Sequence, residues 1–177
     1  MKSPPPQQAS DQGGVPPKVD EPEKPDPRGL ISAKGSATHS DIVDGKRIKL
    51  WTVNWERASI LFESEEKFGG KMVQVTGTIF EKDQPASTFT AGEAYANKES
   101  NTLKLSGGVS VKSLKDGSLL KGSDVLYFAE KGLIEAAGNI TLEAKKYTIS
   151  GIPKILASAD FSEIATPDMY KGNHAKK

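Results

Sequence analysis

Between residues 71 and 151 apolar side chains recur at every second position, a period that commits the chain to β-strands with one dry face and one wet face. The clearest runs are Val73-x-Val75-x-Gly77-x-Ile79, Leu103-x-Leu105, Val109-x-Val111 and Ile134-x-Ala136-x-Gly138-x-Ile140-x-Leu142, with Gln74, Thr76, Lys104, Ser110, Glu135 and Thr141 among the residues between them. Turn chemistry punctuates the runs about every 15 residues, at Phe68-Gly69-Gly70, Lys82-Asp83-Gln84-Pro85, residues 97–101, Lys115-Asp116-Gly117 and Glu130-Lys131-Gly132. No long stretch carries the 3.6-residue period; residues 55–66 come nearest to a helix. The pattern predicts an all-β, antiparallel fold built from hairpins.

The strands also repeat. Superposing Val73-x-Val75-x-Gly77, Leu103-x-Leu105-x-Gly107 and Ile134-x-Ala136-x-Gly138 gives offsets of 30 and 31 residues, one hairpin per unit. A glycine at one place in three long strands points to a bulge or bend that lets the sheet wrap; a glycine tolerated at a twisted edge is the plainer alternative.

The ends differ from this middle. Eight of the eleven prolines precede Gly29, in a stretch too poor in apolar residues to offset the entropy of ordering it. Residues 1–44 are therefore expected to be a disordered, Pro-rich tether or an inert tail. Residues 45–166 are expected to form one domain and residues 167–177 a flexible basic tail.

Composition removes several functions. A net charge of +1 gives no field to draw the whole molecule onto nucleic acid, and no nucleic-acid partner is expected. With no cysteine, and with His39 and His174 outside or near the ends of the expected domain, neither a thiolate nor a zinc site is expected. No glycine-rich phosphate loop opens a helix, and no serine has a histidine partner in the domain. No apolar run reaches the roughly 18 to 20 residues of a membrane-spanning helix. The chain reads as a soluble non-enzyme with no cofactor, no metal and no catalytic residue.

Five segments carry a resemblance to a known family. They are residues 89–96 (FTAGEAYA), 103–111 (LKLSGGVSV), 120–127 (LKGSDVLY), 134–142 (IEAAGNITL) and 149–151 (ISG). Together they resemble the OstA-like proteins of lipopolysaccharide transport, most of all the LptC type, with the soluble LptA type close behind. The resemblance implies an antiparallel β-jellyroll, V-shaped in section, whose apolar interior holds lipid acyl chains. It also implies a periplasmic location, open strand edges that pair with neighbouring jellyrolls, and contact with an inner-membrane ABC transporter complex. LptC-type proteins carry an N-terminal membrane helix that this sequence does not show, and the tether before Gly29 is where such an anchor would attach.

The alternation aims Val73, Val75, Ile79, Leu103, Leu105, Val109, Val111, Ile134, Ile140 and Leu142 at one interior, joined by Val125, Tyr127 and Ile149 from intervening strands. Two readings remain open for this set: a packed sandwich core, or a lipid-binding interior with room among its small residues Ala94, Ala136, Gly107 and Gly138. The lysines outside it, such as Lys104 and Lys121, serve either as solvated edge protection or as contacts for a phosphate-bearing headgroup. Candidate pairing edges are residues 48–53 and 149–157, the latter blunted by Pro153. Trp51 and Trp55 share a face of any strand there. The expected function is passive binding and transfer of lipopolysaccharide or a related glycolipid from inner to outer membrane. The alternative is a self-assembling, bactofilin-like β-solenoid scaffold.

Overall fold

The structure is a computed structural model in which residues 28–62 and 68–170 are described. Ten strands follow one another: β1 (Arg28–Ser32), β2 (Gly35–Val43), β3 (Lys46–Phe62), β4 (Phe68–Glu81), β5 (Gln84–Asn97), β6 (Thr102–Ser113), β7 (Leu119–Phe128), β8 (Leu133–Ala144), β9 (Tyr147–Ser158) and β10 (Ile164–Ala165). They make one sheet ordered β1-β3-β4-β5-β6-β7-β8-β9-β10, with β2 also paired to β3. Every pairing is antiparallel, as the hairpin reading expects and unlike the parallel rungs of a β-helix.

The long strands do not run straight. Their pairing breaks at one level across the sheet. The break passes Glu56 and Gln74, then Gly92, Gly107 with Gly108, Gly122 with Ser123, Gly138 with Asn139, and Gly151. Gln74, Gly107, Gly108, Gly138, Asn139 and Gly151 all have positive φ, a conformation glycine reaches without steric cost. These breaks crease the sheet, with a register shift in the pairings from β5 to β9 and without one at Glu56 and Gln74, so each strand contributes one segment to each of two leaves. β2 extends one leaf and β1 the other, both along β3.

Contacts between distant strands show that the leaves face each other. β4 and β7 lie three places apart in the sheet, roughly 14 Å if it were flat. Yet the Tyr127 hydroxyl donates to the Phe80 carbonyl at 3.1 Å. His39 on β2 meets Asn101 of the β5–β6 turn at 2.7 Å. The Ser113 hydroxyl donates to the Asp160 carbonyl at 3.0 Å. The result is an all-β, antiparallel sheet folded over in the manner of a jellyroll.

Two expectations about boundaries are corrected. The sheet begins at Arg28, so the domain does not wait for residue 45. β2 reads GSATHSDIV, too polar to show a hydrophobic period, because as an edge strand it delivers inward only Ala37, packed against the core, and His39. The expected disorder of residues 1–27, and the basic residues 171–177, lie outside the described residues. Phe68-Gly69-Gly70 is the start of β4 rather than a turn. The glycines there serve packing, since a Cβ on Gly69 would lie 2.8 Å from the Tyr95 hydroxyl and one on Gly70 would lie 3.0 Å from the Ile60 side chain.

A polar clamp joins the β6–β7 and β9–β10 turns. The Asp160 carboxylate accepts from the Ser158 hydroxyl and the Ser162 amide, both at 2.9 Å, and from Lys115 Nζ at 3.2 Å. Partial burial pushes the Asp160 carboxyl up, but Ser162, Ser158 and Lys115 together outweigh it and hold the group far below the usual carboxylate range. The unfolded chain takes up a proton near the ordinary value of about 3.9, while the folded carboxylate does not. Its stabilisation is therefore present above about pH 4 and declines as the pH falls from there towards the folded value. Asp160→Asn is expected to cost about 1–2 kcal/mol at pH 7, the lower part of the range for a charged acceptor because one partner is an exposed lysine. Urea melts compared at pH 7 and pH 2.5 should show the difference between variant and parent narrowing at the lower pH.

Candidate functional site: an apolar interior with an open edge

The inner face of the folded sheet is apolar apart from buried serines such as Ser87 and Ser113. Of the side chains aimed inward by the alternation, Leu103, Leu105, Val111, Ile79, Tyr127, Ile134 and Ile140 are fully buried. Val75, Val109 and Val125 are 1–2% exposed, and Leu142 is 6% exposed. Two residues are placed differently. Val73 is only partly buried, because Gln74 at φ 51 leaves the extended conformation and, with the register on both sides unchanged, turns the preceding residues over and sends Met72 inward instead. Ile149 pairs with buried Leu142 and so shares its inward face, but it stands 46% exposed.

The position of Ile149 follows from the edge. Beyond β9 only β10 adds hydrogen bonds, and it reaches just Leu156 and Ala157. Among the described residues nothing pairs with the outer side of residues 147–154, so Ile149 and Tyr147 line an open mouth of the interior. The other edges are β1 and β2. Residues 48–53, a candidate edge from the sequence, lie in the first half of β3: Trp51, Thr52 and Val53 pair with both β2 and β4, whereas Ile48 and Lys49 pair with β2 alone.

Alternation alone did not collect the whole interior. Trp51, Val53, Trp55 and Ile60 from β3, Phe89 from β5, Leu120 from β7, and Ile155 and Ala157 from β9 are buried with the rest. Trp51 and Trp55 carried a signal in their shared face, and Ile155 and Ala157 in their alternation. Met72 had none, because the kink at Gln74 reverses the phase. At the fully buried positions water does not reach the side chains, so the leaves are closed upon one another there, held by the Tyr127, His39 and Asp160 contacts. Burial pushes the Tyr127 phenol up, and the Glu81 charge adds to the shift. The hydroxyl therefore stays protonated and a donor.

The outer face is polar. Lys71 pairs with Glu93, Lys121 with Glu143, and Lys154 with Glu135 across neighbouring strands, contacts worth about 0–1 kcal/mol each. Among the described residues no cluster of three or more His, Cys, Asp or Glu could hold a metal ion. No helix among them is long and apolar enough to cross a membrane.

Comparison with known proteins connects this geometry to a family. A family model described as lipopolysaccharide-assembly, LptC-related, matches residues 69–153. Among solved structures the chain is similar to LptH, the LptA homologous periplasmic component of the conserved lipopolysaccharide transport device from Pseudomonas aeruginosa. The identity is 12% and the TM-score 0.46, over 82% of this chain and 85% of that one. A search of curated proteins finds no match. The matched segment runs from the start of β4 to the open half of β9 and carries most of the buried inner face, and it is by this segment that the chain is similar to the LptC-related lipopolysaccharide-assembly family.

Proposed function

We propose that this protein is a periplasmic, non-enzymatic carrier that takes the acyl chains of lipopolysaccharide, or a related glycolipid, between its two leaves and passes them from the inner towards the outer membrane. The observation that carries the reading is the continuity of the inner face. It runs through family-matched strands from buried Leu120 and Leu142 to half-exposed Ile149, at an edge whose outer side pairs with no strand among the described residues. A chain can enter at that mouth without crossing a polar barrier.

Magnitudes support entry although the leaves are closed. Burying a 12-carbon chain is worth on the order of 9 kcal/mol at about 0.8 kcal/mol per methylene. The cross-leaf hydrogen bonds contribute about 1 kcal/mol each. A lipid can therefore part the leaves, exchanging protein–protein for protein–lipid contacts, and would then leave slowly. Passage onward needs a neighbour that continues the apolar path. The open half of β9 suits strand addition by an adjoining jellyroll, with Pro153 marking where the hydrogen bonding must stop. In this reading the driving energy comes from an inner-membrane ABC transporter complex, and a tether preceding the sheet holds the domain near that membrane.

The test is light-induced crosslinking with a diazirine analogue of leucine, close to leucine in volume, placed at Leu105 on the inner face or at Leu126 on the outer face. With lipopolysaccharide present, adducts are expected from position 105 and not from 126. Equal labelling at both positions, or none at 105 in a folded protein, would overturn the proposal.

A further inference from the structure

Among the described residues the interior holds three buried polar atoms without a hydrogen-bond partner, the Ser87 hydroxyl and two indole nitrogens, and the indoles are the two that can only donate. Trp51 and Trp55 are 1% and 7% exposed, and neither indole Nε1 has a hydrogen-bond partner among the described residues. Nearly all buried donors in folded proteins are paired, because an orphan forfeits its hydration without compensation. Both residues lie on β3, opposite the inward-facing Ile79 and Val75 respectively, so the two orphans belong to the apolar inner face. A phenylalanine at either place would fill similar apolar space with no donor to satisfy.

β2 covers both rings. The His39 ring lies 5.0 Å from that of Trp51, tilted by 35°, and His39 is held from the far leaf by Asn101. Over Trp55 the cover is bare backbone: a Cβ on Gly35 would fall 2.7 Å from the indole ring and 3.0 Å from its Nε1. Lacking that Cβ, Gly35 leaves the indole its place beneath the strand.

We infer that Trp51 and Trp55 are specificity-determining residues whose indole N–H groups donate to the ester or amide carbonyl oxygens of an acylated lipid, so that the interior prefers acyl chains to alkyl chains of equal length. This rests on the proposed lipid carriage and adds to it a chemical selection. An acyl carbonyl accepts hydrogen bonds and donates none, which suits the two indole N–H groups, donors with no accepting capacity of their own. Hydrocarbon burial alone cannot make this distinction, because it is non-directional.

The experiment uses the full chain and two probes with the same headgroup and chain length, 1-monolauroyl glycerol and 1-O-dodecyl glycerol, which differ by one carbonyl. Affinity is read by displacement of an apolar fluorescent dye, and lipopolysaccharide uptake is measured alongside. The parent protein is expected to bind the ester roughly five- to tenfold more tightly than the ether. Trp51→Phe and Trp55→Phe should each reduce the preference, and the double variant should abolish it while keeping the ether affinity, which also confirms that the fold survives. Each single variant retains one indole emitter, whose fluorescence should move to the red with the ester and not with the ether. If the parent takes up lipopolysaccharide but does not discriminate between the probes, or if the double variant still prefers the ester, this inference falls and carriage stands. If the parent takes up neither lipopolysaccharide nor probe, carriage falls and the inference with it.

Discussion

Gly77→Val is expected to leave the domain unfolded, and Gly77→Ala to cost about 3 kcal/mol or more, at or above the upper end for overpacking a core. Gly77 sits in β4 opposite Val53 on one side and Phe89 on the other. The Phe89 ring fills the space where a side chain would be. A Cβ there would lie 2.1 Å from the backbone carbonyl oxygen of Thr52 and 2.3 Å from the Phe89 ring. The ring could swing aside; the carbonyl could not, because it belongs to the strand paired with β4. Relief therefore requires β3 and β4 to separate at the centre of the sheet. Equilibrium urea unfolding followed by Trp51 and Trp55 fluorescence measures the effect, and an alanine variant within 1 kcal/mol of the parent would contradict it.

A second large effect separates the closed interior from its mouth. Leu105→Asp is expected to destabilise the fold by several kcal/mol, because the carboxylate would sit at a fully buried position with no charge to pair it. Ile149→Asp, on the same inner face but 46% exposed, is expected to change stability by less than about 1 kcal/mol. The two variants also divide the functional question. Loss of lipid uptake by the position-105 variant would merely report unfolding. Loss by the position-149 variant, with the melt unchanged, would report a blocked mouth. Thermal melts and lipopolysaccharide binding on the same samples give both readings, and comparable destabilisation by the two variants would sink the distinction.

Much of this was legible in the residues, and the failures have physical causes. The hairpin ladder from β4 to β9 followed from period-two alternation and from turns such as Lys115-Asp116-Gly117, since one-sided burial imposes that period wherever a sheet has one wet face. β2 escaped notice because an edge strand buries little. Yet Asp44-Gly45, both at positive φ, is the kind of two-residue hairpin that should have revealed a strand on either side. Met72 and Val73 exchanged roles because the backbone kink at Gln74, φ 51 with no change of register, reverses which parity faces inward, and glutamine is not a residue type that announces a positive φ. The repeated glycines Gly107 and Gly138 did announce theirs. The exposure of Ile149 depends on which strand ends the sheet, a property of topology that no local pattern contains.

The crease has one more consequence. Because β3 to β9 all cross it, the leaves are joined by seven continuous backbones, so they cannot slide past or detach from one another as separate lobes could. Their one soft degree of freedom is a change of angle about a shared spine. A wedge driven in between the leaves can therefore only widen that angle, and the contact of His39 with Asn101 is one of the bonds such widening would strain.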